Sequence, residues 1–187
     1  MTQNPSQRVG VFVDVQNVYH SAKNLSNARV NFTELLKTIV NKRDLIRALA
    51  YVVKSETATG ERSFFEALEK AGFELRVKDL QIFSSGYKKA DWDVGIAVDA
   101  IRMADNLDVV VLVTGDGDFT PLVEYLQWGK GKQVEVVAFS KTTSSMLRDE
   151  CDIFVELENI PKILMDIPDK NNNKKSKKKK SKRKNKK

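Results

Sequence analysis

The chain has 187 residues, 41% of them hydrophobic and 30% charged, enough for one α/β domain with a sizeable core and little beyond it. Its formal charge of +7 is unevenly spread: 12 of the 32 Lys and Arg fall in residues 170–187, which hold no acid, leaving the first 169 residues with 20 bases against 25 acids, a net −5. One cysteine, Cys151, excludes an internal disulfide and a thiolate zinc site, one histidine, His20, leaves little room for histidine-based catalysis, and no apolar run reaches the roughly 18–20 residues that span a bilayer. The start, Met1 to Gln7, is polar with no apolar segment behind a basic one, so the expectation is a soluble, cytoplasmic protein.

Segments rich in Val, Ile and Leu alternate with segments of helical period, the pattern of a parallel sheet with helices on both faces. Arg8 to Val15 reads as the first strand, and Asn17 to Leu25 as a helix carrying His20 as an ordinary surface residue. A helix over Phe32 to Val40 leads to a strand over Asp44 to Lys54. Gly60 to Ala71 is helical, with Thr59 as its cap. The third strand lies within Phe73 to Phe83, where Glu74, Arg76 and Lys78 alternate with Leu75 and Val77 as expected near a sheet edge. After a helix over Asp91 to Ala104 comes Val109 to Val113, five apolar residues in a row and the mark of a central strand buried on both faces. A helix over Phe119 to Trp128, a Gly-Lys-Gly turn at 129–131, a strand over Val134 to Phe139, a helix over Thr142 to Glu150 and a short sixth strand, Ile153 to Val155, complete the series. Residues 8–165 are therefore read as one domain and 169–187 as a Lys-rich tail, disordered because Asn, Lys and Ser bury too little apolar surface to offset the entropy of ordering.

In an open α/β sheet, ligands bind beyond the carboxyl ends of the strands, where the strand order reverses. The first strand ends in Asp14 and the fourth in Thr114-Gly115-Asp116-Gly117-Asp118, so two strands deliver carboxylates to one edge. From Asp93, the positions Ile96, Ala97, Ala100, Ile101 and Ala104 form the buried stripe of a helix, and Asp93 heads it. Asp99 sits about 120° and Asp91 about 160° round that helix, which ranks Asp93 above both and makes Asp91 a cap or an outer group. Asp118 either joins the acids or caps the helix that begins at Phe119. Carboxylates that converge repel one another, and a hard cation with oxygen ligands, Mg²⁺, relieves this without histidine or thiol. Such an ion polarises a phosphoryl oxygen and lowers the pKa of an attacking water.

Three segments in order, Val13-Asp14-Val15-Gln16-Asn17, Lys88-Lys89-Ala90-Asp91-Trp92-Asp93 through Asp99, and Thr114-Gly115-Asp116-Gly117-Asp118-Phe119, resemble the motifs of LabA-like NYN domains, which belong to the PIN-like nucleases. The resemblance covers roughly residues 8 to 160. It implies a three-layer domain with a mainly parallel five- or six-stranded sheet of order 3-2-1-4-5. It also implies metal-binding, catalytic acids at Asp14, Asp93, Asp116 and Asp118, with Asn17 beside the first and Asp99 as a recurring secondary position. The reaction implied is hydrolysis of RNA by water activated on Mg²⁺ or Mn²⁺, leaving a 5′-phosphate.

An acidic pocket repels a phosphate backbone, so affinity for RNA is expected from the tail and, nearer the metal, from Lys88 and Lys89; Asn17 and Thr114 complete the expected substrate contacts. The rival reading is a regulatory module of the same fold that binds RNA or protein without catalysis. A receiver-like phosphoacceptor, with Lys141 as its lysine, fits less well because Asp14 is followed by Val15 and Gln16 rather than an acid pair. Gln16 also removes the second aspartate that a haloacid-dehalogenase-type phosphatase needs. A toprim-like fold shares the Asp-Gly-Asp pattern but brings a Glu from its first motif.

Overall fold

Strands whose interior positions are all apolar or glycine are stable only at the centre of a sheet covered on both sides, and two segments of this chain meet that description. In the computed structural model, which describes residues 4–54, 60–82, 88–89 and 91–167 and only the backbone of 81–82 and 88–89, these are β1 (Arg8–Asp14) and a strand at Val109–Val113 that lies beside it. Between them the chain forms α1 (Val15–Ser26), β2 (Ala28–Val30), α2 (Phe32–Val40), β3 (Asp44–Lys54), α3 (Glu61–Lys70), β4 (Glu74–Asp79), β5 (Gln81–Ile82), β6 (Lys88–Lys89) and α4 (Asp93–Met103). After β7 (Val109–Val113) come α5 (Thr120–Glu124), β8 (Gln133–Ala138), α6 (Ser145–Glu150), β9 (Ile153–Glu156) and β10 (Leu164–Asp166).

The main sheet has six strands in the order β4-β3-β1-β7-β8-β9, every neighbouring pair parallel. This is the expected order 3-2-1-4-5 of the principal strands, extended by a sixth. From β1 the chain winds outward one way through β3 and β4, and from β7 the other way through β8 and β9, which makes the β1–β7 seam the switch point. Alternation along the two central strands feeds two cores. Val9, Val11, Val13, Val109, Val111 and Val113 pack with α1, α2 and α3, whereas Phe12, Val110 and Leu112 pack with α4, α5 and α6.

The chain departs from its expected pattern in a few places. The helix expected from Gly60 has Gly60 itself at its cap position, with no side-chain hydrogen bond; Thr59 lies outside the described residues, as does the tail. In α4, Ile96 and Ala100 are buried as expected, as is Ala104 just past its end, but Ile101 is exposed on the far shoulder of the stripe. The segment beyond Phe119 starts with a 3₁₀ turn over Gly117–Phe119 and ends in a π turn over Tyr125–Gly129. Two small antiparallel pairs, β2 with β10 and β5 with β6, have no counterpart in the sequence reading. No helix among the described residues is long and apolar enough to cross a membrane.

One buried ion pair joins the base of β3 to β8. Arg43 and Glu135, with side chains 0% and 1% exposed, share two hydrogen bonds of 2.7 and 3.0 Å. Gln133 Nε2 donates to the same carboxylate at 2.9 Å, and Arg43 Nε donates to the Val40 carbonyl at 3.1 Å. A second pair lies at the surface, where Arg8 grips Asp108 through both its backbone N–H and its guanidinium, at 2.8 Å each. Those hydrogen bonds from Arg8 pull the Asp108 carboxyl down to about 2. Because the folded pKa is depressed, the pair adds stability above the ordinary carboxylate range and loses it as the pH falls toward 2. Thermal midpoints of wild type and Asp108→Asn should therefore differ at neutral pH and converge near pH 2; a gap that persists there would refute the assignment.

Candidate metal centre

The register Val13↔Val113 between β1 and β7 sets the next residue of each chain segment side by side at the switch point. On the β1 side that residue is Asp14, which is half-buried and caps α1 by accepting from Asn17 N at 3.1 Å. On the β7 side it is Thr114, expected at the substrate but 1% exposed. Its Oγ1 instead accepts from Asp116 N at 3.2 Å and so shapes the turn. Asn17, also expected to touch substrate, spends its Oδ1 on Gly115 N at 3.0 Å, which ties the first turn of α1 to the loop carrying Asp116.

That loop is held from its other side by the segment after β8. Ser144 N donates to the Gly115 carbonyl at 3.0 Å, and a Cβ on Gly117 would stand 2.7 Å from Ser144 Oγ, so only glycine allows this approach. Thr142 Oγ1 in turn donates to Ser21 Oγ of α1 at 2.9 Å. The capping role considered for Asp118 belongs to Asp116, whose carboxylate accepts from Asp118 N at 3.0 Å and starts the 3₁₀ turn. Asp118 is left exposed and aimed at the acids.

One carboxylate oxygen from each of Asp93, Asp116 and Asp118 lies within 4.8 Å of the others, the only such grouping of acids, histidines or cysteines among the described residues. Asp14 stands outside this tight set yet close to it. Burial pushes the Asp14 carboxyl above its usual range, the hydrogen bond from Asn17 N works against this, and the charges of Asp93 and Asp116 add to the rise. Asp93 is raised too, first by burial and then by Asp116, Asp91 and Asp118, with Lys78 of β4 as a partial offset. The oxygen-only donor set and the mutual repulsion suit a hard divalent cation such as Mg²⁺ or Mn²⁺.

The remaining expected residues sit at varied distances from this centre. Asp91 is exposed and its charge reaches Asp93, but the cap position of α4 is Trp92, not Asp91. Asp99 faces the other way: it accepts from Tyr51 Oη at 3.1 Å and pairs with Arg76 Nε at 3.2 Å. Lys88 and Lys89 form β6, one turn of chain ahead of α4, with side chains outside the described residues. His20 is exposed and packs edge-on to Tyr19, and burial raises the Cys151 thiol above its usual range. Sequence reading passed over Lys78, Trp92 and Ser144; a tryptophan set between two acids was the one available signal.

Comparison with known proteins bears on the same residues. The chain is 27% identical over 167 residues, 86% of its length and 88% of the relative's, to the low amplitude and bright protein LabA of Synechococcus elongatus. A crystal structure of a protein of unknown function from Vibrio parahaemolyticus matches with a TM-score of 0.79 and 33% identity, covering 88% of this chain and all of that one. The model of the NYN domain matches residues 8–158, which takes in every strand of the main sheet and Asp14, Asp93, Asp116 and Asp118; the chain belongs to the NYN domain family.

Proposed function

We propose that this protein is a Mg²⁺- or Mn²⁺-dependent endoribonuclease. The observation that carries the reading is the meeting of Asp93, Asp116 and Asp118, with Asp14 beside them, from three distant stretches of chain at the switch point of the sheet. Repelling carboxylates at that position, two of them raised by burial, are relieved either by taking up protons or by a cation among them, and the oxygen-only donor set suits the cation. Membership of a PIN-like nuclease family makes a nucleic acid the natural substrate.

Asp93, Asp116 and Asp118 would hold the ion, and Asp14 would take the water or second ligand shell on the β1 side. When bound, the ion supplies charge stabilisation at a phosphoryl oxygen and a more acidic water. Asn17 and Ser144 keep the Asp116 loop in register with α1 and β8, so the acids meet without rearrangement. The exposed face of Asp118 leaves the centre open to an extended strand. The test is incubation with a mixed RNA pool with and without Mn²⁺, using Asp116→Asn as control. Cleavage that needs Mn²⁺ and vanishes in the mutant supports the reading; equal cleavage by the mutant, or none by the wild type, favours a non-catalytic module.

Affinity is assigned to the Lys-rich tail, 12 bases without an acid in residues 170–187. Removal of residues 169–187 should weaken RNA binding and flatten its dependence on salt, since each neutralised phosphate contributes to the slope. Titrations at two salt concentrations that give the same affinity and slope with and without the tail would refute that role.

A further inference from the structure

The turn that delivers Asp93 is held by a side chain to which no role has yet been given. Trp92 occupies the cap position of α4 without a side-chain cap hydrogen bond. Its indole is instead fixed from four directions. Nε1 donates to the Val52 carbonyl of β3 at 2.9 Å. The Tyr51 ring meets it edge-on, with centroids 5.3 Å apart. Lys78 of β4 places its ammonium 5.1 Å from the ring centroid and donates to the Asp91 carbonyl at 2.9 Å. Gly95 leaves the room for the ring: a Cβ there would stand 2.5 Å from Trp92 Cε3.

Residues 91 and 92 are thereby tied to two strands of the sheet just before the chain turns into the helix that bears Asp93. A glycine inside a helix costs about 0.5–1 kcal/mol relative to alanine, so the seat under the indole is kept at some expense in helix stability. A tryptophan that only filled the core would not need its N–H, its ring face and its backbone neighbour all engaged.

We propose that Trp92 is a positioning residue for Asp93: its indole, seated on Gly95 and clamped by Lys78, Tyr51 and the Val52 carbonyl, fixes the first turn of α4 so that the Asp93 carboxylate meets Asp116 and Asp118. This rests on the metal reading given above, and its experiment separates the two. Mn²⁺ affinity is measured by calorimetry on the full chain for wild type, Gly95→Ala, Lys78→Met and Lys78→Arg. Trp92 emission is followed in a Trp128→Phe background, where Trp92 is the only tryptophan, the other being 86% exposed.

Alanine at 95 favours the helix, so the thermal midpoint should hold, while the displaced indole shifts its emission to the red and Mn²⁺ binds about 10-fold or more weakly, the range seen when outer partners of a ligand are lost. Lys78→Met decides between charge and position. Loss of a nearby positive charge alone would tighten Mn²⁺ binding, whereas loss of the clamp weakens it, and Lys78→Arg restores most of the affinity. Mn²⁺ binding by Gly95→Ala and Lys78→Met at or above the wild-type affinity overturns the proposal, as does an unshifted emission in Gly95→Ala. If Gly95→Ala fails to fold, Trp92→Phe, which keeps a ring but not the N–H, should bind Mn²⁺ several-fold more weakly; unchanged affinity overturns the proposal by that route. A wild type that binds no Mn²⁺ overturns the metal reading itself, and the positioning role with it.

Discussion

Asp14→Asn and Asp116→Asn are each expected to lower Mn²⁺-dependent RNA cleavage by at least about 100-fold, with the thermal midpoint of the metal-free protein unchanged or raised. Loss of an outer partner of a metal ligand already costs 10- to 100-fold, and these substitutions remove a charge from the centre itself. Stability holds because both side chains cap a helical turn through one oxygen, Asp14 to Asn17 N and Asp116 to Asp118 N, and asparagine caps as well as aspartate. In addition, each substitution deletes one member of a set of repelling charges, a gain for the empty protein. Cleavage rates and melting curves on the same preparations check both halves. A mutant that loses activity only because it melts early would have the opposite signature.

The second large effect concerns stability alone. Arg43→Met or Glu135→Gln should destabilise the fold by about 3–5 kcal/mol, because each leaves a buried polar partner without its mate, and lower the midpoint by roughly 10 °C for a chain of this size. The penalty falls on the surviving group, so the double substitution Arg43→Met with Glu135→Leu should recover most of the loss. Urea unfolding of the three variants measures this, and a double mutant as weak as the sum of the singles would contradict it, because additive losses mean that the two side chains are not energetically coupled. The site lies at the opposite end of the strands, so Mn²⁺ affinity below the transition should not change.

The strands themselves and the convergence of Asp14, Asp93 and Asp116 were legible in the sequence because periodicity and strand-end placement are local properties that the α/β architecture turns into a shared edge, whereas the order 3-2-1-4-5 came from the resemblance to NYN domains. Val109 to Val113 needed no partner to be read as central, and that β1 lies beside it followed from the resemblance. The β2–β10 pair was not legible: each strand is three residues long, and Leu164↔Val30 joins positions far apart in the chain. Nothing local in the sequence marks Arg43 and Glu135 as a buried pair, because β1 and β7 lie between β3, at whose base Arg43 sits, and β8, which carries Glu135. Asp99 illustrates the same limit from the other side. Its helical phase set it apart from Asp93, and the structure supplies the reason in Tyr51 and Arg76, on β3 and β4. The loop residues Asn17 and Thr114 were placed at the right edge, but their part in shaping the Gly115–Asp116 turn, whose backbone N–H groups donate to their side-chain oxygens, has no local signal in the sequence.

Crystals soaked in Mn²⁺ and measured near the manganese edge address the central claim most directly. Shared use of one ion by Asp93, Asp116 and Asp118 requires an anomalous peak among those three carboxylates, with Asp14 facing it. A map without a peak there at saturating Mn²⁺, or with Mn²⁺ bound only at other acids, would contradict it.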